Sequence, residues 1–311
     1  MEQKVRDSMQ GLKECVKVAD TDFLAIYEKA ILSHTQADDN ILVPYMSIGD
    51  FAFEAAINER KCLVYDNNPL IKINFESEFF YPSLAGIRAR FKEIRMIKNH
   101  PDCGVKRFFN SQLYDEVMSI RTFLDSAPRD AINLWIRRLV AETLRMPAQN
   151  KILEYFVAKE MALRLYKSVL SSIDPMKILI LHYYIPSFFE NETAAESVLK
   201  GSKVKMVHYA PYTFDADSYF EHNFLKMWFS GISREQLEGA LVNDLDCANR
   251  SKKDFVTLHK KLEGGGLLLV EKARDYDLEA FLKLALFYGY ENIKSFASPK
   301  KEVYLMRKSS L

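Results

Sequence analysis

The stretch VPYMSIGD, Val43 to Asp50, taken with VYDNNP, Val64 to Pro69, decides the fold class of this chain. An apolar run from Ile41 to Met46 enters a turn holding Gly49, a helix is expected from about Phe51, and a second apolar run, Cys62 to Tyr65, ends on the carboxylate of Asp66. Strand, turn, helix, strand and acid in that order put Asp66 at the carboxyl edge of a parallel sheet, where an acid takes the ribose hydroxyls of a bound cofactor. Asp66 has a second reading as a solvated turn carboxylate, with Asn67 and Asn68 supplying the turn chemistry.

Working outward, the strand-like Val204 to Val207 runs into HYAPY, His208 to Tyr212, and LEGGGLLLV, Leu262 to Val270, has the pattern of a turn entering a buried strand. VPYMSIGD, DNNP and YAPY, in this order, resemble the first, second and catalytic motifs of the amino-methylating DNA methyltransferases, which use S-adenosylmethionine to modify the exocyclic nitrogen of adenine or cytosine. The resemblance extends from about Phe23 to Val303. Phe108 to Arg145 resembles the helices that one subgroup of the family inserts between its cofactor half and catalytic half, and Asp215 to Gly231 resembles the stretch after that subgroup's catalytic motif. What this implies is an α/β protein with a Rossmann-like methyltransferase fold. Residues 1–75 would form its first part, 76–175 a mainly helical insertion and 176–311 its second part.

The resemblance also implies a site. Pro44, Tyr45, Ser47 and Gly49 would form the S-adenosylmethionine loop, Asp66 would hold the ribose, and Tyr209, Ala210, Pro211 and Tyr212 would be the catalytic motif. Several residues depart from the family pattern. Ser47 stands where the family has a glycine, and the β-branched Ile48 beside it tolerates a left-handed backbone poorly and is bulky toward the cofactor. Val43 replaces an acid, and ILILHYY, Ile178 to Tyr184, brings no carboxylate toward the adenine. Weak cofactor binding is expected. In the family's catalytic motif a short Asp, Asn or Ser side chain and a main-chain carbonyl accept hydrogen bonds from the target amine, while an aromatic ring stacks on the flipped base. Ala210 keeps the carbonyl and Tyr212 can stack, but Tyr209 is too long to stand in for the short acceptor. Losing one such group costs about 3–4 kcal/mol of barrier. Tyr209 and Tyr212 also have a packing reading, with Pro211 ending a strand.

The rest of the chain is consistent with a folded α/β protein. Its 311 residues, nearly half of them apolar, suffice for a full core, and the formal charge of +1 imposes no global field that demands an acidic partner. The longest strongly apolar run, Ile178 to Ile185, is too short to span a bilayer, so a soluble, cytoplasmic protein with no membrane partner is expected. Cys15, Cys62, Cys103 and Cys247 lack the spacing of a zinc site or disulfide framework, and no metal is expected. Phe23, Ile26, Tyr27 and Ile31 define an opening helix, and helical periods cover Ser83–Asn99, Ser111–Leu124, Arg129–Met146 and Gln149–Ser171. Pro69 to Phe80 shows no clear period. Strand character resumes at Lys177–Tyr184, a helix is expected near Glu190–Lys200 and another from Arg234 through Leu262, and Glu302–Met306 closes the sheet.

Between Ser83 and Arg107 seven Lys or Arg residues face only two acids, and Arg88, Lys92 and Arg95 fall on one helical stripe. Such a stripe follows a phosphate backbone or forms an ordinary solvated face. Two functional hypotheses follow. One is a methyltransferase acting on a nucleic-acid amine. The other is a pseudoenzyme that keeps the fold as a binding or assembly module, with the helical insertion as its surface for a protein partner.

Overall fold

The computed structural model describes residues 16–17, 22–45, 50–66, 68–78, 81–144, 158–171, 184–185, 188–189, 201–211, 216–240, 247–273, 278–299 and 301–310. These fall into two compact units. One comprises residues 1–71, 179–215 and 239–311, the other 72–178 and 216–238.

The first unit is built on a mostly parallel sheet with strands β1 (Val16–Lys17), β2 (Asn40–Pro44), β3 (Lys61–Tyr65), β4 (Phe188–Phe189), β5 (Val204–Tyr209), β6 (Leu262–Ala273), β7 (Glu291–Ala297) and β8 (Lys301–Arg307). The spatial order is β1-β7-β8-β6-β5-β2-β3-β4. β2 pairs in parallel with β3 and β5, β3 with β4, β5 with β6 and β1 with β7, whereas β8 runs antiparallel to both β6 and β7. NILVP and KCLVY form strands because they are buried on both faces, which makes them continuous apolar runs instead of alternating ones. Side chains of one face, among them Leu42, Tyr65, Val207, Tyr209 and Val270, pack with Phe255 of α10 (Cys247–Lys261) and Phe281 of α11 (Glu279–Phe287). The alternate residues face α1 (Phe23–His34) and α2 (Asp50–Ile57), where Tyr27 and Phe51 meet the ring of His208. α1 buries Phe23, Tyr27, Ala30 and Ile31, a stripe at helical spacing.

The second unit contains α4 (Leu84–Glu93), α5 (Ser111–Ser126), α6 (Ala131–Thr143), α7 (Ala158–Ser171) and α8 (Ala216–Ser230). It has an apolar core of its own, in which Ile87, Tyr114, Trp135, Tyr166, Leu225 and Phe229 are fully buried. Two of the four unit boundaries, 71/72 and 238/239, fall within α3 (Pro69–Glu78) and α9 (Arg234–Ala240).

Four expectations need correction. The helical unit is not confined to 76–175, because α8 buries Leu225 and Phe229 in its core, so residues 216–238 leave the second α/β part. Pro69 to Glu78 is a helix, started by its cap. α4 stops at Glu93, where Ile94 turns extended, instead of running to Asn99. The GGG segment is not a turn before a strand. It lies within β6 as a bulge, since Val204 and Met206 of β5 pair with Leu262 and Leu267, and Gly265 takes a φ of +75°. Lys177–Tyr184, apart from Tyr184, and Glu190–Lys200 lie outside the described residues.

Candidate functional site at the switch point of the sheet

The chain leaves β2 for β3 on one side and returns to β5 on the other, so the carboxyl ends of β2 and β5 flank the point where strand order reverses. Ligands of open α/β sheets bind in such crevices. Pro44 and Tyr45 end β2, Asp66 follows β3, and Tyr209, Ala210 and Pro211 end β5, so the described members of both expected motifs stand on this one edge. Ser47, Gly49 and Tyr212, with Ile48, lie outside the described residues.

Tyr45, not a glycine, carries the left-handed turn out of β2, with a φ of +57°. That conformation costs an L-residue roughly 1–2 kcal/mol. It is held by the bond from the Tyr45 N–H to the Tyr65 carbonyl (3.0 Å) and by the phenol, which donates to Asp254 Oδ2 at 2.8 Å. Sequence reasoning places the turn at the glycine and misses it here.

Tyr209 is fully buried. Its ring stacks on Phe281 at a centroid distance of 4.4 Å and meets Tyr45 edge-on at 5.8 Å, and its phenol donates to the same Asp254 oxygen at 3.0 Å. Asp254 on α10 thus gathers both tyrosines beneath the sheet edge, a role no local motif signals. Ala210 and Pro211 are buried beside them, and Val43 is buried in β2 opposite Val64.

Asp66 is 2% exposed. Its Oδ1 accepts the backbone N–H of Asn68 (2.8 Å), and Asn68 Oδ1 in turn accepts that of Leu70 (3.0 Å), capping α3 with Pro69 at its first position. The cap uses one oxygen of the Asp66 carboxylate. Among the described residues, then, the acid expected at the ribose caps its own turn through one oxygen, and the two tyrosines of the motifs pack inward on Asp254.

On the opposite face of the sheet lies a second polar group. The Lys301 ammonium donates to Glu271 Oε1 (3.1 Å) and to the Tyr27 phenol (3.0 Å), Tyr27 donates to Glu271 Oε2, and His208 Nε2 lies 3.6 Å from that oxygen. Burial works against the Glu271 carboxylate, but His208, Lys301 and Tyr27 outweigh it and hold its pKa down at about 2. Burial first, then Glu271, keeps the Tyr27 phenol protonated far above its ordinary range. Among the described residues no group of three or more His, Cys, Asp or Glu is placed to hold a metal, and no helix is long and apolar enough to cross a membrane.

Arg88 and Lys92 are exposed on α4, and Arg95 is exposed beyond its end; none of them forms an ion pair among the described residues. Arg90 points elsewhere, to Asp130 (3.1 Å), Asn133 (2.6 Å) and Glu93 (3.1 Å). The expected stripe is thus three cations, in the helical unit. Comparison with known protein families and with curated proteins finds no match.

Proposed function

We propose that this chain is a methyltransferase-fold protein that works as a binding or assembly module and not by methyl transfer. The strand order supports the fold part of this reading. A mostly parallel sheet whose strand order reverses between β2 and β5, with β8 alone running antiparallel between β6 and β7, is compatible with the Rossmann-like fold that the resemblance implies. The observation that carries the functional part is Tyr209. The side chain at the first position of the YAPY motif is a core residue, stacked on Phe281 and bonded to Asp254, so it accepts nothing from a target amine.

One surface for binding is that of the helical unit, where the row Arg88, Lys92 and Arg95 suits a nucleic-acid backbone and the remaining helix faces suit a protein partner. The alternative, a divergent methyltransferase acting on a nucleic-acid exocyclic amine, draws on Ala210 and Pro211 standing at the end of β5. Tritiated methyl transfer from S-adenosylmethionine to a mixed DNA and RNA pool, run with a calorimetric titration of the cofactor, separates the two. The expected result is no turnover and no heat of micromolar binding. Turnover that disappears in Tyr212→Ala would establish the enzyme, and micromolar affinity that drops in Asp66→Ala would move that alternative ahead.

A further inference from the structure

At the opposite end of the strands from the crevice, α10 closes with His259, Lys260 and Lys261, β5 starts after Lys203, and β8 runs out into Lys308. Lys308 donates to the carbonyls of His259 (2.6 Å) and Leu262 (2.7 Å), and Lys203 to that of Lys260, so two ammonium groups converge on one helix end. Neither they nor the exposed Lys260 pair with a carboxylate among the described residues. Nearby acids are already engaged or faced by a cation: Glu263 holds Lys205 at 2.5 Å, and Glu291 lies across from Arg307 in the β7–β8 register. The crowding registers on the groups themselves. Burial and then the charges of Lys308 and Lys203 push His259 down, and burial and then Lys203 push Lys308 down.

Beside these cations α11 ends on two exposed rings, Phe287 at 57% and Tyr288 at 47%. Tyr288 is not loose. Its ring lies 4.9 Å from His259 and 5.4 Å from Phe255, with Phe287 set edge-on at 5.7 Å. The backbone beneath is fixed by Gly289, whose φ of +82° ends the helix, and by the Ser309 hydroxyl on the Gly289 carbonyl. Held rings next to ammonium groups without a carboxylate are what a flexible polyanion with stackable bases requires, since bases meet the π faces while phosphates meet the cations. A duplex keeps its bases from such rings, and an anionic lipid surface, which lacks bases to stack, is set against the oligonucleotide in the test below.

We propose that the rim formed by Phe287, Tyr288, His259, Lys203, Lys260 and Lys308 binds single-stranded nucleic acid, with bases stacked on the two rings and phosphates on the ammonium groups. This site is distinct from the crevice and from the Arg88 row, and it stands whether or not the chain methylates anything.

The test is fluorescence anisotropy of the full chain with a labelled oligothymidine of about 20 nucleotides, across roughly 50 to 200 mM salt. Phe287→Ala with Tyr288→Ala is expected to weaken binding at least about tenfold without changing the salt slope. Lys203→Gln with Lys260→Gln should lower the slope by about 0.7 for each phosphate that is no longer neutralised. Tyr288→Phe, which keeps a ring, should bind as wild type and guards against a folding artefact, as do melting curves of every variant. The loss caused by the ring variant is expected to persist in a background of Arg88→Gln, Lys92→Gln and Arg95→Gln, which removes the other cationic row. The proposal fails if wild type does not bind the oligonucleotide at low salt, if the ring variant binds as wild type, if only the Arg88-row variant loses binding, or if duplex DNA or phosphatidylserine vesicles are bound in preference.

Discussion

Tyr209 brings a large ring and a phenol into the same buried place, and each has its own partner: Phe281 for the ring and Asp254 for the hydroxyl. The two are separable. Tyr209→Phe keeps the stack and loses one hydrogen bond, an expected cost of about 1 kcal/mol. Tyr209→Asp, the change that would bring the motif nearer the methyltransferase pattern, removes the ring from a fully buried position and sets a carboxylate beside Asp254, for an expected loss of about 4 kcal/mol or more. Urea unfolding of the two variants checks the pair. Equal, small losses would mean that the ring carries no packing and would reopen the catalytic reading of this residue. An activity rescue built on Tyr209→Asp is therefore expected to be lost to instability before it reports on chemistry.

Asp66 and Asn68 act on an element, since together they start α3. Asn68→Ala and Asp66→Ala are each expected to cost about 1 kcal/mol in urea unfolding through the lost cap. If Asp66 served only a ligand, its alanine variant would be as stable as wild type. The same helix shows where the sequence is legible and where it is not. β2, β3, β5 and β8 are buried on their central positions and stand out as apolar runs, and α1 shows its stripe plainly. α3 escapes a sequence reading because PLIKINFESE mixes apolar and polar residues without a clean stripe, and its real signal, an asparagine cap before a proline, falls inside the segment read as a ribose site. β7 escapes it because ENIKSFA buries only Ser295 fully and shows no alternation. The described motif residues stand on one sheet edge. What order cannot convey is the direction of each side chain: Tyr45 and Tyr209 turn inward to Asp254, a residue more than forty positions from the nearer of them.

At the scale of the whole molecule, the sheet unit is assembled from three separated stretches of chain, and Glu271 helps to join them. It binds Tyr27 of α1 across 244 residues of sequence and Lys301 of β8, and lies against His208 of β5. These contacts make its carboxyl far more acidic in the folded chain than in the unfolded one, where a glutamate titrates near 4.3. Because the folded pKa is depressed, the unfolded state binds the proton more readily, and stability rises with pH over this range. The contribution is therefore fully present above about pH 5 and is lost as pH falls through the folded value of about 2. The shift is worth about 3 kcal/mol. Wild type is expected to lose that much between pH 6 and acid, and Glu271→Gln is expected to be less stable at neutral pH and to show a correspondingly flatter acid limb. Urea unfolding followed by far-UV dichroism is the suitable measurement, because both tryptophans, Trp135 and Trp228, lie in the helical unit and do not report the sheet directly. An acid limb that is as steep in the variant as in wild type would show that Glu271 does not fasten these three stretches and that the acid sensitivity arises elsewhere in the chain.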